Sequence, residues 1–151
     1  MKFLKIFNEH TEQFIDNLDQ LEVIRELGDA RFAYLSDDYN FVFRAVLSRP
    51  NSILIALYIN DFIEEERVRP NFNWFDVKDY FIPFMQNLLS AGFEIDYVPK
   101  GQNKRSIAFN YSSNRNNHTK IILVEDILED KVEDQTINAI FVYVKSAYFI
   151  T

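Results

Sequence analysis

The hydrophobic period changes along this chain, and that change restricts it to a mixed helix-and-strand fold. Two segments place apolar residues three and four positions apart, which is the period of a helix that buries one face. The other apolar segments alternate with polar residues, or form short β-branched and aromatic runs, as strands do. The sequence therefore predicts an α+β fold in which two main helices pack on an antiparallel sheet of about six to seven strands.

The two helices have recognisable ends. The first is predicted over residues 9–27, with Gly28 just past its end as the residue that can adopt a left-handed conformation. The second is predicted from Asn73 or Trp74 to Ala91, with Asn73 as its N-cap and Gly92 after its end. Pro83 lies inside the second pattern, so it should either kink this helix or mark the first turn of a new one.

The remaining elements are predicted strands in the order α-βββ-α-βββ-(acidic segment)-β. The first three cover residues 31–36, 41–48 and 52–60, although residues 39–47 also fit a helical stripe. We favour strands because Pro50-Asn51 is turn material between two runs of matched length. After Gly92 we expect a hairpin of residues 93–97 and 106–111, a polar loop at 112–118 and a strand at 120–124. Residues 137–150 form a long final strand, a candidate for the central position.

Length and composition favour one domain over residues 1–151. A chain of this size can bury roughly two thirds of its unfolded surface, and 48% of its residues are hydrophobic. It has only 3 glycines and 4 prolines, so a long flexible linker is not expected.

Catalytic and cofactor signatures are missing from the sequence. Without cysteine there is no disulfide, no thiolate metal ligand and no thiol nucleophile. We find no phosphate-binding glycine loop, no His-Glu-x-x-His and no nucleophile elbow. The only histidines are His10 and His118. We therefore expect a non-enzymatic protein that needs no cofactor, and a hidden catalytic site would first be sought at His118, Arg115 and Glu125.

The charge balance bears on partners. The net charge of −7 disfavours nucleic acid and anionic membranes, because both repel an acidic protein. Residues 1–7 begin like a signal peptide, but the apolar stretch stops too early, and no run approaches the ~20 apolar residues of a membrane span. We expect a cytoplasmic protein whose partner is another protein.

The acidic segment is the most unusual feature. A Glu-Asp pair recurs every four residues, at Glu125, Asp126, Glu129, Asp130, Glu133 and Asp134. On a helix this spacing would align six carboxylates as an acidic ridge. The ridge could be a solvated face, a docking surface for a basic protein, or a divalent-cation site. The last is disfavoured because the segment lacks the glycine of a calcium-binding loop.

Two other surfaces are candidates. Basic residues cluster in a segment flanked by acidic ones, and with one histidine they form a second candidate surface: Lys100, Lys104, Arg105, Arg115 and His118. Phe72, Trp74 and Phe75 at the start of the second helix either anchor a partner or seal this helix onto the sheet.

The predicted order of elements resembles that of small secretion chaperones and of some toxin-immunity proteins, in element order alone. We expect a stoichiometric inhibitor, such as an immunity protein or a phage counter-defence protein, that docks a basic partner through acidic residues. The alternative is a secretion-type chaperone or adaptor that binds an extended segment of an effector. A chaperone predicts a homodimer, whereas an inhibitor is compatible with a monomer.

Overall fold

A computed structural model describes residues 17–49, 52–61, 69–96, 103–113 and 116–145. It confirms the α+β class: the described residues form three helices, a six-stranded antiparallel sheet and a separate two-stranded sheet. The helices are α1 (Asn17–Tyr39), α2 (Trp74–Ser90) and α3 (Val124–Leu128). The strands are β1 (Phe41–Arg49), β2 (Ser52–Ile59), β3 (Phe72–Asn73), β4 (Glu94–Ile95), β5 (Ser106–Ser113), β6 (Asn116–Leu123), β7 (Thr136–Ile137) and β8 (Ala139–Lys145).

The last strand, β8, occupies the centre of the sheet, the position for which it was a candidate, but it is shorter than the predicted 137–150: Ile137 belongs to β7, and residues 146–150 lie outside the described residues. The strands follow the order β1-β2-β8-β5-β6, and β4 pairs with the end of β8, whereas β3 and β7 pair with each other. Ile55 on β2 is opposite Val142 on β8, and both are buried. The central strands are thus the most apolar ones.

The predicted hairpin after Gly92 is wrong. Its two arms, β4 and β5, each pair with β8. The true hairpin joins β5 to β6, and its ladder runs from Ser106 opposite Leu123 to Ser113 opposite Asn116. Most of the predicted polar loop at 112–118 therefore belongs to strands. Polar residues are tolerated there because the far end of the hairpin is exposed.

The first helix is longer than predicted. It continues through Gly28 to Tyr39, so the strand predicted at residues 31–36 is wrong, and the helix beginning predicted at residue 9 lies outside the described residues. Ile24, Phe32 and Leu35 keep the helical spacing and are all buried, with Gly28 between them. The continuous buried stripe outweighs the intrinsic cost of one glycine within a helix.

The second helix agrees with its prediction. Asn73 has an extended conformation at the N-cap, and Ala91 is the C-cap. Gly92 follows with a φ of 103°, which favours glycine. Pro83 is accommodated within one continuous helix.

Both long helices cover the same face of the sheet, which we call the inner face. Phe32 of α1 stacks on Phe43 of β1 with ring centroids 5.4 Å apart, and Trp74 of α2 lies 5.2 Å from Phe109 of β5. Phe84 contacts both Phe32 and Phe43, with centroids 5.3 Å away in each case. An aromatic core therefore fixes the two helices to the sheet.

Candidate functional site

The acidic segment does not form the predicted helical ridge. Helix α3 ends at Leu128, and Asp130 has a positive φ of 56°, which turns the chain away from the helical path. Residues 131–135 have no regular structure and lead into β7. Like charges four residues apart disfavour a helix, and here only its first turn persists. The six carboxylates therefore do not share one helix face.

Four of these six carboxylates have partners within the chain. The pairs are Glu125 with Arg105 at 3.0 Å, Glu129 with Lys131 at 2.7 Å, Asp130 with Lys78 at 2.9 Å, and Asp134 with the backbone N–H of Phe75 at 2.9 Å. The other two, Asp126 and Glu133, have no side-chain partner among the described residues. Half of the six carboxylates are therefore ion-paired within the fold, and Asp134 is held by a backbone N–H.

Residues 130–137, which we call the strap, hold the start of α2. The Asp134 carboxylate accepts a hydrogen bond from the N–H of Phe75, so it caps the helix from 59 residues away. The carbonyl of Gln135 accepts from the N–H of Trp74 at 2.9 Å, and the Thr136 hydroxyl donates to the Asn73 side chain at 2.9 Å. Asn73 itself makes no side-chain cap bond to α2. The strap therefore supplies the cap that the sequence assigned to Asn73.

The basic candidate surface is divided. Lys100 and Arg115 lie outside the described residues, and Lys104 is exposed. Arg105 is bound to Glu125, so the basic and acidic candidate surfaces meet at this ion pair in a cleft of about 490 Å³.

His118 is remote from that cleft. Its ring stacks on Tyr111 with centroids 5.3 Å apart and an interplanar angle of 16°. Burial raises the pKa of Tyr111, which stays protonated and donates a hydrogen bond to Gln135. His118 lies near the start of β6, whereas Glu125 lies in α3 beyond the end of that strand; residues 118 to 123 alone span roughly 17 Å at about 3.3 Å per residue. The structure does not bring them together.

The three aromatic residues at the start of α2, which were predicted either to anchor a partner or to seal this helix onto the sheet, differ in their exposure. Phe72 and Trp74 are buried and seal α2 onto the sheet. Phe75 is 49% exposed, with the Lys78 ammonium 4.5 Å from its ring centroid. Only Phe75 is therefore accessible to a partner.

A groove that the sequence analysis missed lies beside this helix start. It has a volume of about 580 Å³ and is formed where the end of α1, the start of β1, the end of β2, strand β3, the start of α2 and β7 meet. We call it the tyrosine groove, and it is lined by Tyr34, Leu35, Tyr39, Phe41, Ile59, Asn71, Phe72, Asn73, Asp76, Tyr80 and Thr136. Leu35, Phe41 and Phe72 are buried and form its apolar base.

Local structure fixes the position of the groove. Asn40 has a φ of 60° and ends α1, a left-handed conformation that asparagine tolerates at this position. Its side chain donates to Asp61 at 2.7 Å, and its carbonyl accepts from the N–H of Asn60 at 2.9 Å. These bonds attach the end of α1 to the end of β2, so that Tyr34 and Tyr39 are held at the opening of the groove.

The tyrosines form a continuous row of rings. Tyr34 lies 6.0 Å from Tyr80 at an interplanar angle of 17°, and 5.7 Å from Tyr39 at 69°. Tyr34 and Tyr39 are about half exposed, at 49% and 53%. The Tyr34 and Tyr39 hydroxyls lie 3.5 Å apart, and that contact, with the negative potential of Tyr39 and Asp38, raises the pKa of Tyr34 to about 12. The Tyr34 phenol is therefore neutral at physiological pH.

The charge of the groove is negative. Asp76 is its only charged lining residue among those described, and its carboxylate is exposed. No described basic side chain lies within ion-pair distance of Asp76. Asp37 and Asp38 lie next to Tyr39 in sequence and are also exposed. A cation is the ligand that this combination of rings and carboxylates attracts.

The sheet face opposite the helices, which we call the outer face, is unusually apolar. Leu54 of β2 pairs with Tyr143 of β8, and Ala108 of β5 pairs with both Phe141 and Ile121. Leu54, Phe141, Tyr143 and Ile121 are all partly exposed. No described helix covers them, so this face is a second apolar surface of the molecule.

No family model matches the chain, and neither a curated protein nor a solved structure shows significant similarity to it. Function must therefore be argued from the site itself. In the described part of the chain, no helix is long and apolar enough to cross a membrane. The same residues contain no group of three or more histidine and carboxylate side chains arranged to hold a metal ion.

Proposed function

We propose that this chain is a non-enzymatic protein-binding domain that associates stoichiometrically with a basic partner protein. The observation that carries the proposal is the tyrosine groove, in which a row of accessible phenol rings stands beside the exposed carboxylate of Asp76. Tyrosine is enriched at the centres of protein interfaces because it offers a large rigid surface with a polar tip.

The acidic character of the chain supports a basic partner. The net charge is −7, the exposed Asp76 lines the groove, and the exposed Asp38 is close enough to act on the Tyr34 phenol. Opposite charge accelerates encounter and rejects wrong partners. A stoichiometric inhibitor, such as an immunity protein that neutralises a basic toxin or a phage counter-defence protein, is the activity that fits these properties.

The docking surface we propose differs from the acidic ridge expected from the sequence. Four of the six ridge carboxylates are bound within the chain. Three of these contacts are ion pairs, so a basic partner meets less net negative charge at this segment. Asp76, by contrast, has no such contact among the described residues.

The test begins with the double variant Tyr34→Ala, Tyr39→Ala. Both side chains are about half exposed, so the fold should survive, which circular dichroism would check. Wild type and variant are used to capture proteins from a lysate of the organism that encodes the chain, and the captured partner is then purified. Titration calorimetry of the purified pair should give a one-to-one stoichiometry, salt-dependent binding to wild type and at least about ten-fold weaker binding to the double variant.

A second variant, Tyr143→Ala, is the matched control, because Tyr143 is partly exposed on the outer face, away from the groove. It should bind like wild type. If only the Tyr143 variant loses the partner, the outer face is the docking surface and the chaperone alternative replaces the inhibitor. If a protein binds wild type and both variants equally, neither the groove nor the outer face is the docking surface; if wild type captures no protein at all, the binding function itself is refuted.

A further inference from the structure

We infer that the tyrosine groove recognises an arginine side chain of the partner, with the guanidinium stacked on the tyrosine rings and paired with Asp76. The inference rests on the proposed function and specifies the chemistry of the same site. It concerns one contact, so it can be tested without the partner itself.

The geometry of α2 places the two required groups together. Asp76 and Tyr80 are four residues apart on this helix, so their side chains are neighbours with Cβ atoms about 6 Å apart. Tyr34 of α1 lies nearly parallel to Tyr80, at 17°. A flat cation that stacks on these rings is then within reach of the Asp76 carboxylate.

The electrostatics favour a cation in this position. The face of a tyrosine ring carries negative potential, and the adjacent carboxylate adds a full negative charge. Elsewhere the chain already uses this chemistry on its own residues. The guanidinium of Arg69 lies 4.2 Å from the ring centroid of Tyr58, and the Lys78 ammonium lies 4.5 Å from that of Phe75. The rings of the groove have no such cation among the described residues.

Arginine fits the site better than lysine. A guanidinium is planar, so it can lie parallel to a phenol ring, and its fork of N–H groups can donate two hydrogen bonds to one carboxylate. An ammonium is compact and strongly hydrated, and it has no flat face to stack on a phenol ring, so it covers less of the ring when it pairs with the same carboxylate. Arginine is also among the residues that dominate interface energetics.

The experiment uses three blocked tripeptides, Gly-Arg-Gly, Gly-Lys-Gly and Gly-citrulline-Gly, titrated into the full ¹⁵N-labelled chain. Citrulline keeps the shape of arginine but is neutral. A single cation–π contact with one exposed ion pair corresponds to a dissociation constant on the order of 10–100 mM. Amide shifts in the first two turns of α2 should therefore respond to the arginine peptide, with affinity about ten-fold above citrulline and at least about three-fold above lysine.

Two variants of equal charge assign the site. Asp76→Asn should lower affinity for the arginine peptide at least about three-fold, whereas Asp79→Asn should leave it unchanged, because Asp79 is exposed on the same helix but does not line the groove. Any of four results would overturn the inference. Two concern the peptides: equal affinity for the arginine and citrulline peptides, or equal affinity for the arginine and lysine peptides. The other two are the absence of amide shifts in α2 and an equal loss of affinity in both variants. If the partner still binds and the Tyr34, Tyr39 variant still abolishes that binding, the proposed function stands without the arginine contact.

Discussion

Gly28 shows how one residue can be required for its size. An added Cβ at this position would lie 2.1 Å from the ring of Phe43, far inside van der Waals contact. Phe43 cannot easily move aside, because its ring is stacked on Phe32 and contacts Phe84. The glycine that resembled a helix end in the sequence therefore lies at a close approach of α1 to β1.

Replacing Gly28 with alanine should destabilise the protein. Alanine favours a helix over glycine by about 1 kcal/mol, but overpacking a filled core typically costs about 1–3 kcal/mol. Since the added atom would overlap a ring that is confined on both sides, we expect a net loss of about 1–2 kcal/mol in the free energy of unfolding. Urea denaturation of the Gly28→Ala variant measures it.

The control for this prediction removes the ring instead of the glycine. In a Phe43→Leu background, Gly28→Ala should cost less than it does in wild type, because the clashing Cε2 and Cζ atoms are gone. A double-mutant cycle isolates this coupling. A stability gain in the single variant, or zero coupling in the cycle, would show that the close approach is absent in solution.

At the scale of elements, the strap determines how firmly α2 begins. Its three contacts use the backbone N–H groups of Trp74 and Phe75 and the Asn73 side chain. The first N–H groups of a helix have no partner within the helix, so outside acceptors stabilise it. Asp134 therefore has a structural role that the sequence pattern alone does not reveal.

Replacing Asp134 with alanine should remove this cap. The expected loss in the free energy of unfolding is about 1 kcal/mol, the usual cost of a lost cap acceptor. Glu133→Ala is the matched control, because Glu133 is an adjacent exposed carboxylate without a side-chain partner in the described part of the chain. Chemical denaturation of both variants should show a loss only for Asp134→Ala. Equal stability of the two would mean that the Asp134 contact contributes nothing.

The elements that could be predicted from sequence are those defined by local signals. The apolar stripe of α2, its asparagine before and its glycine after all lie within one segment, and the structure agrees with each position. The predicted end of α1 was wrong because Gly28 matches a local signal for the end of a helix. The glycine is instead required by Phe43, which lies in another element and leaves no room for a side chain at position 28. The β4–β5 hairpin was wrong for a related reason: β8, distant in sequence, pairs with both strands.

At the scale of the whole molecule, the candidate site is a product of topology. The tyrosine groove joins Tyr34 and Tyr39 of α1 to Tyr80 of α2 and to Thr136 of β7, residues that no local pattern connects. Sequence periodicity assigns each residue to an element, but it does not show which element ends meet. The net negative charge of the sequence indicates a basic partner. Only the assembled fold locates the tyrosine groove, whose charged residue, Asp76, has no ion-pair partner among the described residues.

The outer face bears on how much of the molecule is available for binding. In most antiparallel sheets with one covered face, the other face is polar. Here the central strands β2 and β8 read as Ser-Ile-Leu-Ile-Ala-Leu-Tyr-Ile and Ala-Ile-Phe-Val-Tyr-Val-Lys, apolar on both sides. Strands of this composition usually have both faces buried. Whether something covers the outer face in solution can be decided by stability.

Two neighbouring residues of β2 lie on opposite faces of the sheet, so the same substitution at each compares the stability cost on the two faces. Ile55 points into the core and is 1% exposed, whereas Leu54 is partly exposed on the outer face. Threonine keeps the β-branched shape that strands favour but adds a hydroxyl. Ile55→Thr should lower the free energy of unfolding by about 2–4 kcal/mol, because it buries a hydroxyl and leaves a cavity. Leu54→Thr should cost less than about 1 kcal/mol if its face is open to water.

Urea denaturation at two protein concentrations completes this test. With the outer face open, the unfolding midpoints of wild type and Leu54→Thr should not depend on concentration. A large loss in Leu54→Thr together with a concentration-dependent midpoint would show that a second copy covers this face, since association stabilises by mass action. A large loss without concentration dependence would mean that the chain itself buries Leu54. Either result would withdraw the outer face as a competing docking surface for a different protein and leave the tyrosine groove as the accessible one.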